Sequence, residues 1–319
     1  MTLPAPVIQG VEEALEAETG KPARIVSSAS AGGGCINPSA RIVTESGDDF
    51  FLKWNASAPS SMFPAEADGL RALRSPGTLK VPEVFGQGGS GAPGDPGWLL
   101  MEFIPQGRPG PTYGERLGAG LAALHSSRLH RSEPASGGQT SGTPPTFGWY
   151  RDNFIGSLPQ KNEENESWVA FWREFRLAPQ LQMARDRGHF SGGRARVVDE
   201  LLNRLDQVMA GSEEGGPALL HGDLWSGNFY PDPEGQPVLI DPAVYLGVGE
   251  VDLAMMELFG SLPRGFEESY GDARGWAPEY EAFRRSLYQL YYLLVHVNLF
   301  GGSYVGSSLQ AAERALSGA

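Results

Sequence analysis

Over the first hundred positions the apolar residues fall in short runs of strand length. Residues 23–28, 41–44, 49–54, 81–85 and 98–104 predict strands, with turn formers such as Ser46-Gly47-Asp48 between them. Two helices are predicted among them: 11–17, short and acidic, and 65–73, with Leu70 and Leu73 on one face. Beyond residue 105 the spacing changes. Leu117, Leu121 and Leu124 recur at intervals of four and three, the period of one helical face, so 113–125 predicts a helix. Residues 168–187, 195–210 and 279–300 predict more helices. Two apolar runs between them, 218–223 and 238–240, predict short strands that end in charged residues. The pattern implies an α+β protein of two lobes joined near residue 104. Residues 1–104 would form a small antiparallel-sheet lobe carrying one helix, and 105–319 a larger, mainly helical lobe.

Composition narrows the class. Of 319 residues, 40% are hydrophobic and 20% charged, as in ordinary globular chains. The 43 glycines and 25 prolines gather in stretches such as 86–97 and 132–145, which read as long connections. A net charge of −13 argues against a nucleic-acid partner, which needs a basic face to displace counterions. The single cysteine, Cys35, excludes an intrachain disulfide and a thiolate-rich metal site. Residues 1–20 lack the basic-then-apolar pattern of a secretory leader. The apolar stretch 290–300 is too short to span a bilayer and contains His296 and Asn298. No membrane association and a cytoplasmic location are the expectation.

The most informative segment is Leu219-Leu220-His221-Gly222-Asp223-Leu224-Trp225-Ser226-Gly227-Asn228, followed by Val238-Leu239-Ile240-Asp241. Phosphoryl transfer from ATP asks mainly for positioning and charge neutralisation. One carboxylate must orient the attacking hydroxyl and take its proton. A second carboxylate and an amide oxygen must hold Mg2+, which prefers oxygen ligands. Asp223, Asp241 and Asn228 supply this set in the order used by protein-kinase-like folds. An isolated His-Gly-Asp would more often be a capped turn; the spacing to Asn228 and the apolar strand ending in Asp241 shift the reading.

The first lobe carries the matching parts in order. Gly32, Gly33 and Gly34 form a turn suited to phosphates, Lys53 stands within Phe50-Phe51-Leu52-Lys53-Trp54, and Glu66 opens the predicted helix at 65. Each has a plainer reading, as a turn, a solvated lysine and a first-turn charge. Met101 would line the nucleotide pocket, with the main chain of Glu102, Phe103 and Ile104 pairing with adenine. Asp241-Pro242-Ala243 replaces the Asp-Phe-Gly of protein kinases, and proline stiffens the segment. Only 242–251 separates Asp241 from the next helix. Both features favour a small molecule over a peptide as acceptor.

The chain resembles the fructosamine kinase (ketosamine kinase) family, relatives of the aminoglycoside phosphotransferases. The resemblance rests on Leu224-Trp225-Ser226-Gly227-Asn228, Asp241-Pro242-Ala243, Tyr245-Leu246-Gly247, and the run from Glu250 to Met256 with Leu258-Phe259-Gly260. Gly33-Gly34-Cys35-Ile36-Asn37, Phe147-Gly148, Asp152 to Gly156, and Asn298-Leu299-Phe300-Gly301 add to it. It covers about residues 24–310 and lapses at 86–97 and 132–145. It implies transfer of the ATP γ-phosphate to a sugar hydroxyl, on the third carbon, of a free or protein-bound ketoamine. The product then breaks down and releases the amine. Trp225 would stack on the sugar. Relatives also carry cysteine beside the glycine turn, so Cys35 is a candidate redox-sensitive thiol. A monomer or weak homodimer is expected. Another small-molecule kinase, for an aminoglycoside, choline or homoserine, and a catalytically dead ATP-binding module are the alternatives.

Overall fold

The computed structural model describes residues 2–31, 37–127 and 146–318. Among them the strands in chain order are β1 (Ile25–Ser30), β2 (Ser39–Thr44), β3 (Asp49–Asn55), β4 (Val84–Gly88), β5 (Gly97–Glu102), β6 (Asn153–Ile155), β7 (Leu158–Gln160), β8 (Ala218–Leu220), β9 (Phe229–Pro231), β10 (Pro237–Leu239) and β11 (Tyr245–Gly247). The chain divides into two compact units, Met1–Tyr113 with Gly227–Pro242, and Gly114–Ser226 with Ala243–Ala319. This differs from the boundary at 104. The β9–β10 hairpin belongs with the N-terminal sheet because Lys80 bridges Val238 and the Gly107 amide donates to the Pro231 carbonyl at 2.7 Å.

The first unit is built on an antiparallel sheet of order β1-β2-β3-β5-β4. One face is covered by α1 (Ala5–Thr19), which runs well beyond the predicted 11–17. Pro4 and Pro6 sit at its start, where an N–H has no helical partner to lose. Val7, Val11 and Leu15, four residues apart, are its buried stripe and pack with Ile42, Leu52, Trp98 and Leu100. The second helix, α2 (Met62–Arg74), begins before the predicted 65, so Glu66 lies a turn inside it rather than opening it. Strand β4 starts later than predicted: Pro82 has no N–H to give a ladder, while the Glu83 carbonyl accepts from the Glu102 amide at 2.7 Å.

The second unit is mainly helical. After α3 (Tyr113–Ser126), the predicted helix 168–187 is three pieces: α4 (Trp168–Phe171), a wide π-helical turn at Trp172–Leu177 and α5 (Ala178–Asp186). Then come α6 (Gly193–Asn203), α7 (Leu205–Val208), α8 (Glu250–Leu258), α9 (Phe266–Arg274), α10 (Arg285–Phe300) and α11 (Val305–Leu316). Its core is aromatic: Trp168 lies 5.3 Å from Trp172, which meets Tyr288 edge-on at 5.1 Å. No helix among the described residues is long and apolar enough to cross a membrane.

The α1–sheet contact depends on absent side chains. A Cβ at Gly88 would stand 2.7 Å from the Trp98 ring, and one at Gly10 would stand 2.9 Å from it. Gly88→Ala should therefore overpack this contact and cost about 1–3 kcal/mol. Urea unfolding at equilibrium checks this; an unchanged midpoint would show that Trp98 moves aside freely.

Candidate functional site

In the first unit, the pleat of β3 turns Lys53 inward, where its side chain is almost fully buried. Its ammonium donates to Glu66 Oε1 of α2 at 2.7 Å and to Asp241 Oδ1. Burial pulls the lysine pKa down, but Asp241 and Glu66 outweigh it and hold Lys53 above the ordinary lysine range. Burial pushes the Glu66 carboxyl up, against the pull of Lys53.

Asp241 lies just past the end of β10 and is the single non-glycine residue with positive φ among the described residues, at 55°. This left-handed geometry costs less for aspartate than for most side chains, and such outliers gather at functional sites. Asn228, buried beside β9, donates Nδ2 to the Asp241 carbonyl at 3.5 Å, and Ile240 N donates to the Asn228 carbonyl at 3.0 Å. A carboxylate and an amide thus stand at the ends of adjacent strands. Both offer hard oxygen donors, a set that fits magnesium.

Met101 is buried in β5, paired with Phe51 of β3 and Val84 of β4; Glu102 closes the strand. The Arg41 guanidinium lies 4.8 Å over the Phe103 ring. Tyr230, which sequence reasoning passed over, donates its hydroxyl to the Ile104 carbonyl at 3.0 Å. Gly32, Gly33, Gly34 and Cys35 lie outside the described residues.

In the second unit, the His221-Gly222-Asp223 loop leaves β8, which pairs with β11. The strand ends at Leu220, short of the predicted 223, because Gly222 takes φ 82°. A Cβ there would also meet the Ala243 carbonyl at 2.1 Å, so only glycine fits. Asp252 of α8, wholly buried, fixes this loop: its Oδ2 accepts the His221 N–H at 2.8 Å and its Oδ1 the Gly222 N–H at 2.9 Å. Tyr292 of α10 donates its hydroxyl to the Gly222 carbonyl at 2.8 Å, and the Ala243 N–H donates to the His221 carbonyl at 2.8 Å. Asp223 and Trp225 are half-buried and Ser226 is exposed.

Behind Asp252 stands His125, buried at the end of α3, with Nε2 3.2 Å from Asp252 Oδ2 and Nδ1 2.9 Å from the Tyr270 hydroxyl. Burial lowers the His125 pKa more than Asp252 raises it, so the ring is neutral near pH 7. Nε2–H then donates to the carboxylate and Nδ1 accepts from Tyr270. Asp252 did carry a signal in the sequence: a carboxylate set among Val251, Leu253, Ala254, Met255 and Met256 is one whose helix buries it.

The segment 147–165 is tied to the same framework. Asn153 Nδ2 donates to the Val244 carbonyl at 2.7 Å, and Tyr291 donates its hydroxyl to Gln160 Oε1 at 2.6 Å. Arg176, fully buried in the π-helical turn, donates to the Lys161 carbonyl and to Asn162 Oδ1, each at 2.7 Å. Its guanidinium lies 3.9 Å over the Tyr245 ring of β11.

The profile of the fructosamine kinase family matches residues 7–318. A probable ketoamine kinase of Synechocystis is 39% identical over 313 residues, 98% of this chain and 98% of that protein. A chloroplastic protein-ribulosamine 3-kinase of Arabidopsis thaliana is 38% identical over 297 residues, 92% of this chain and 84% of that one. The crystal structure of a putative fructosamine-3-kinase from Thermobifida fusca superposes with a TM-score of 0.81 at 33% identity, covering 97% of this chain and 99% of that one.

The lowered His125 pKa fixes the sign of a pH effect. In the unfolded chain the ring titrates near about 6.5, while in the fold it resists protonation until lower pH. Below about pH 6.5 the unfolded state therefore binds more protons, and stability falls as pH falls, by up to about 1.4 kcal/mol per pH unit. His125→Gln should flatten this slope. Urea midpoints of both proteins between about pH 7 and 5 check it; parallel slopes would mean His125 is not the titrating group.

Proposed function

Because the chain belongs to the fructosamine kinase family, we propose that it transfers the γ-phosphate of ATP to a sugar hydroxyl of a ketoamine, on its third carbon. The observation that carries this reading is the buried Lys53 ammonium joined at once to Glu66 and Asp241. Ion pairs with two carboxylates from distant parts of the chain are a costly use of buried charge, and phosphate binding explains it.

In this reading Lys53 neutralises phosphate oxygens and Glu66 holds its ammonium in place. Asp241 and the Asn228 amide oxygen hold Mg2+, which offsets charge on the phosphates when bound. The main chain from Glu102 to Ile104 pairs with adenine beside Met101, and Gly32, Gly33 and Gly34 cover the phosphates. Asp223 accepts the proton of the attacking hydroxyl. The bonds from Asp252, Tyr292 and Ala243 to its loop support that role, because a base must be presented in one geometry. Trp225 offers the sugar an apolar face. The relatives named ketoamine kinase and protein-ribulosamine 3-kinase support the acceptor class. The phosphorylated adduct then decomposes and frees the amine, so the activity serves deglycation.

ADP release with a fructosamine, a ribulosamine, an aminoglycoside, choline and homoserine as acceptors tests the reading. Turnover of the ketoamines is expected; turnover confined to the other alcohols would overturn it. Asp223→Asn should bind ATP nearly as the wild type does yet lose about 10²–10⁴ in rate, on the order of 3–5 kcal/mol of barrier. Near-normal turnover in that variant would remove Asp223 as the base.

A further inference from the structure

Most aromatic side chains of the second unit are buried, but Tyr150, Phe259 and Phe300 are exposed. Phe259, just past α8, and Phe300, at the end of α10, are 39% and 60% exposed. They share a neighbour: the His296 ring lies 4.7 Å from Phe259, 5.4 Å from Phe300 and 5.0 Å from Tyr304. Singly exposed apolar residues are common on any protein, whereas a contiguous exposed group calls for a ligand or partner.

The group adjoins the loop that carries Asp223 and Trp225, by two routes. Tyr292, whose hydroxyl reaches the Gly222 carbonyl, lies one turn before His296 on α10, about 6 Å along the axis. Gly260, next to Phe259, comes so near the same loop that an added Cβ would stand 3.8 Å from Ser226 Oγ.

The polarity of His296 is fixed. Its Nδ1 lies 2.8 Å from the Tyr292 carbonyl, which only accepts, so Nδ1 carries the proton. Burial lowers the ring pKa more than that bond raises it. Near pH 7 the imidazole is therefore neutral, and Nε2 presents a lone pair. A neutral acceptor among three aromatic rings suits a cation that bears N–H donors: the ring faces attract the charge and the lone pair takes the hydrogen bond. A ketoamine has such a group, a secondary amine protonated near neutral pH, on the carbon two places from the hydroxyl that is phosphorylated.

We infer that His296, Phe259, Phe300 and Tyr304 form the subsite that receives the ammonium group and amine substituent of the acceptor, selecting charged amine adducts of the sugar. The inference rests on the ketoamine kinase reading above.

The test compares kcat/KM for fructosyl-lysine, whose nitrogen is charged, with that for 1-acetamido-1-deoxyfructose, whose amide is neutral. The wild type should prefer the charged acceptor. In Phe300→Leu and His296→Gln that preference should fall about fivefold to tenfold, mainly through KM. An equal preference in the wild type and Phe300→Leu overturns the subsite. Phe300 is exposed, so that variant decides the matter alone should His296→Gln not fold. Absence of wild-type turnover on fructosyl-lysine, fructosamine and ribulosamine would instead overturn the kinase reading itself.

Discussion

A carboxylate without access to water must find its partners inside the protein, and Asp252 finds them in the backbone of the His221-Gly222-Asp223 loop. Its two oxygens accept two successive N–H groups, and neutral His125 supplies a further bond from behind. A loop held only by hydrophobic contact could slide, since apolar attraction has no direction. Hydrogen bonds to a charged acceptor are directional and strong, and the buried charge is destabilised severely once they are lost. The cost of burying Asp252 thus becomes a penalty on every misplacement of the backbone that carries Asp223. Gly222 follows from the same constraint. Its backbone can meet Asp252 and approach the Ala243 carbonyl only without a side chain.

The first unit applies the same logic with the opposite sign. Lys53 is the buried charge, and the groups it orders are side chains, Glu66 and Asp241. There the strain lies in the backbone of Asp241, whose positive φ aims a carboxylate that a regular strand end would point elsewhere. Pro242 follows at once and narrows the alternatives open to that residue. The chain passes between the units at Ser226–Gly227 and again at Pro242–Ala243. Asp223, Asn228 and Asp241 therefore all lie within one short stretch of sequence, though they belong to two separately packed units.

That stretch stood out in the sequence because phosphoryl transfer fixes residue types and spacing more tightly than the fold does. Lys53 and Glu66 could be read from order along the chain, and the structure brings both together with Asp241. Long amphipathic elements such as α3 were equally plain. Strands β6, β7, β9 and β11 were not read, since three residues show no period. Helices α9 and α11 were also missed. Gly271 interrupts the pattern of α9, and Gly306-Ser307-Ser308 gives the start of α11 the composition of a turn. The wide turns at Trp172–Leu177 and Tyr280–Arg284 keep an apolar pattern that a continuous helix would share. Asp252, Tyr230 and Tyr292 act through partners far away in sequence, so local spacing could not assign them. The neighbours of His296 along α10 are largely apolar, and the rings of Phe259 and Tyr304, from other segments, complete its aromatic surroundings.

The two units also differ in how they would meet charge. Phosphates are anions, and in the proposed reading the buried Lys53 ammonium would meet them directly. Simple charge matching would pair a cationic acceptor with a carboxylate, yet the group beside the Asp223 loop is aromatic and neutral. The net charge of −13 already draws cations over distances up to the screening length, about 8 Å at physiological salt. At short range a further carboxylate would disfavour the ionised form that Asp223 needs in the role proposed for it. Aromatic faces and an imidazole lone pair attract the ammonium without that effect. The division of labour is physical: net charge acts at a distance and neutral groups act at contact.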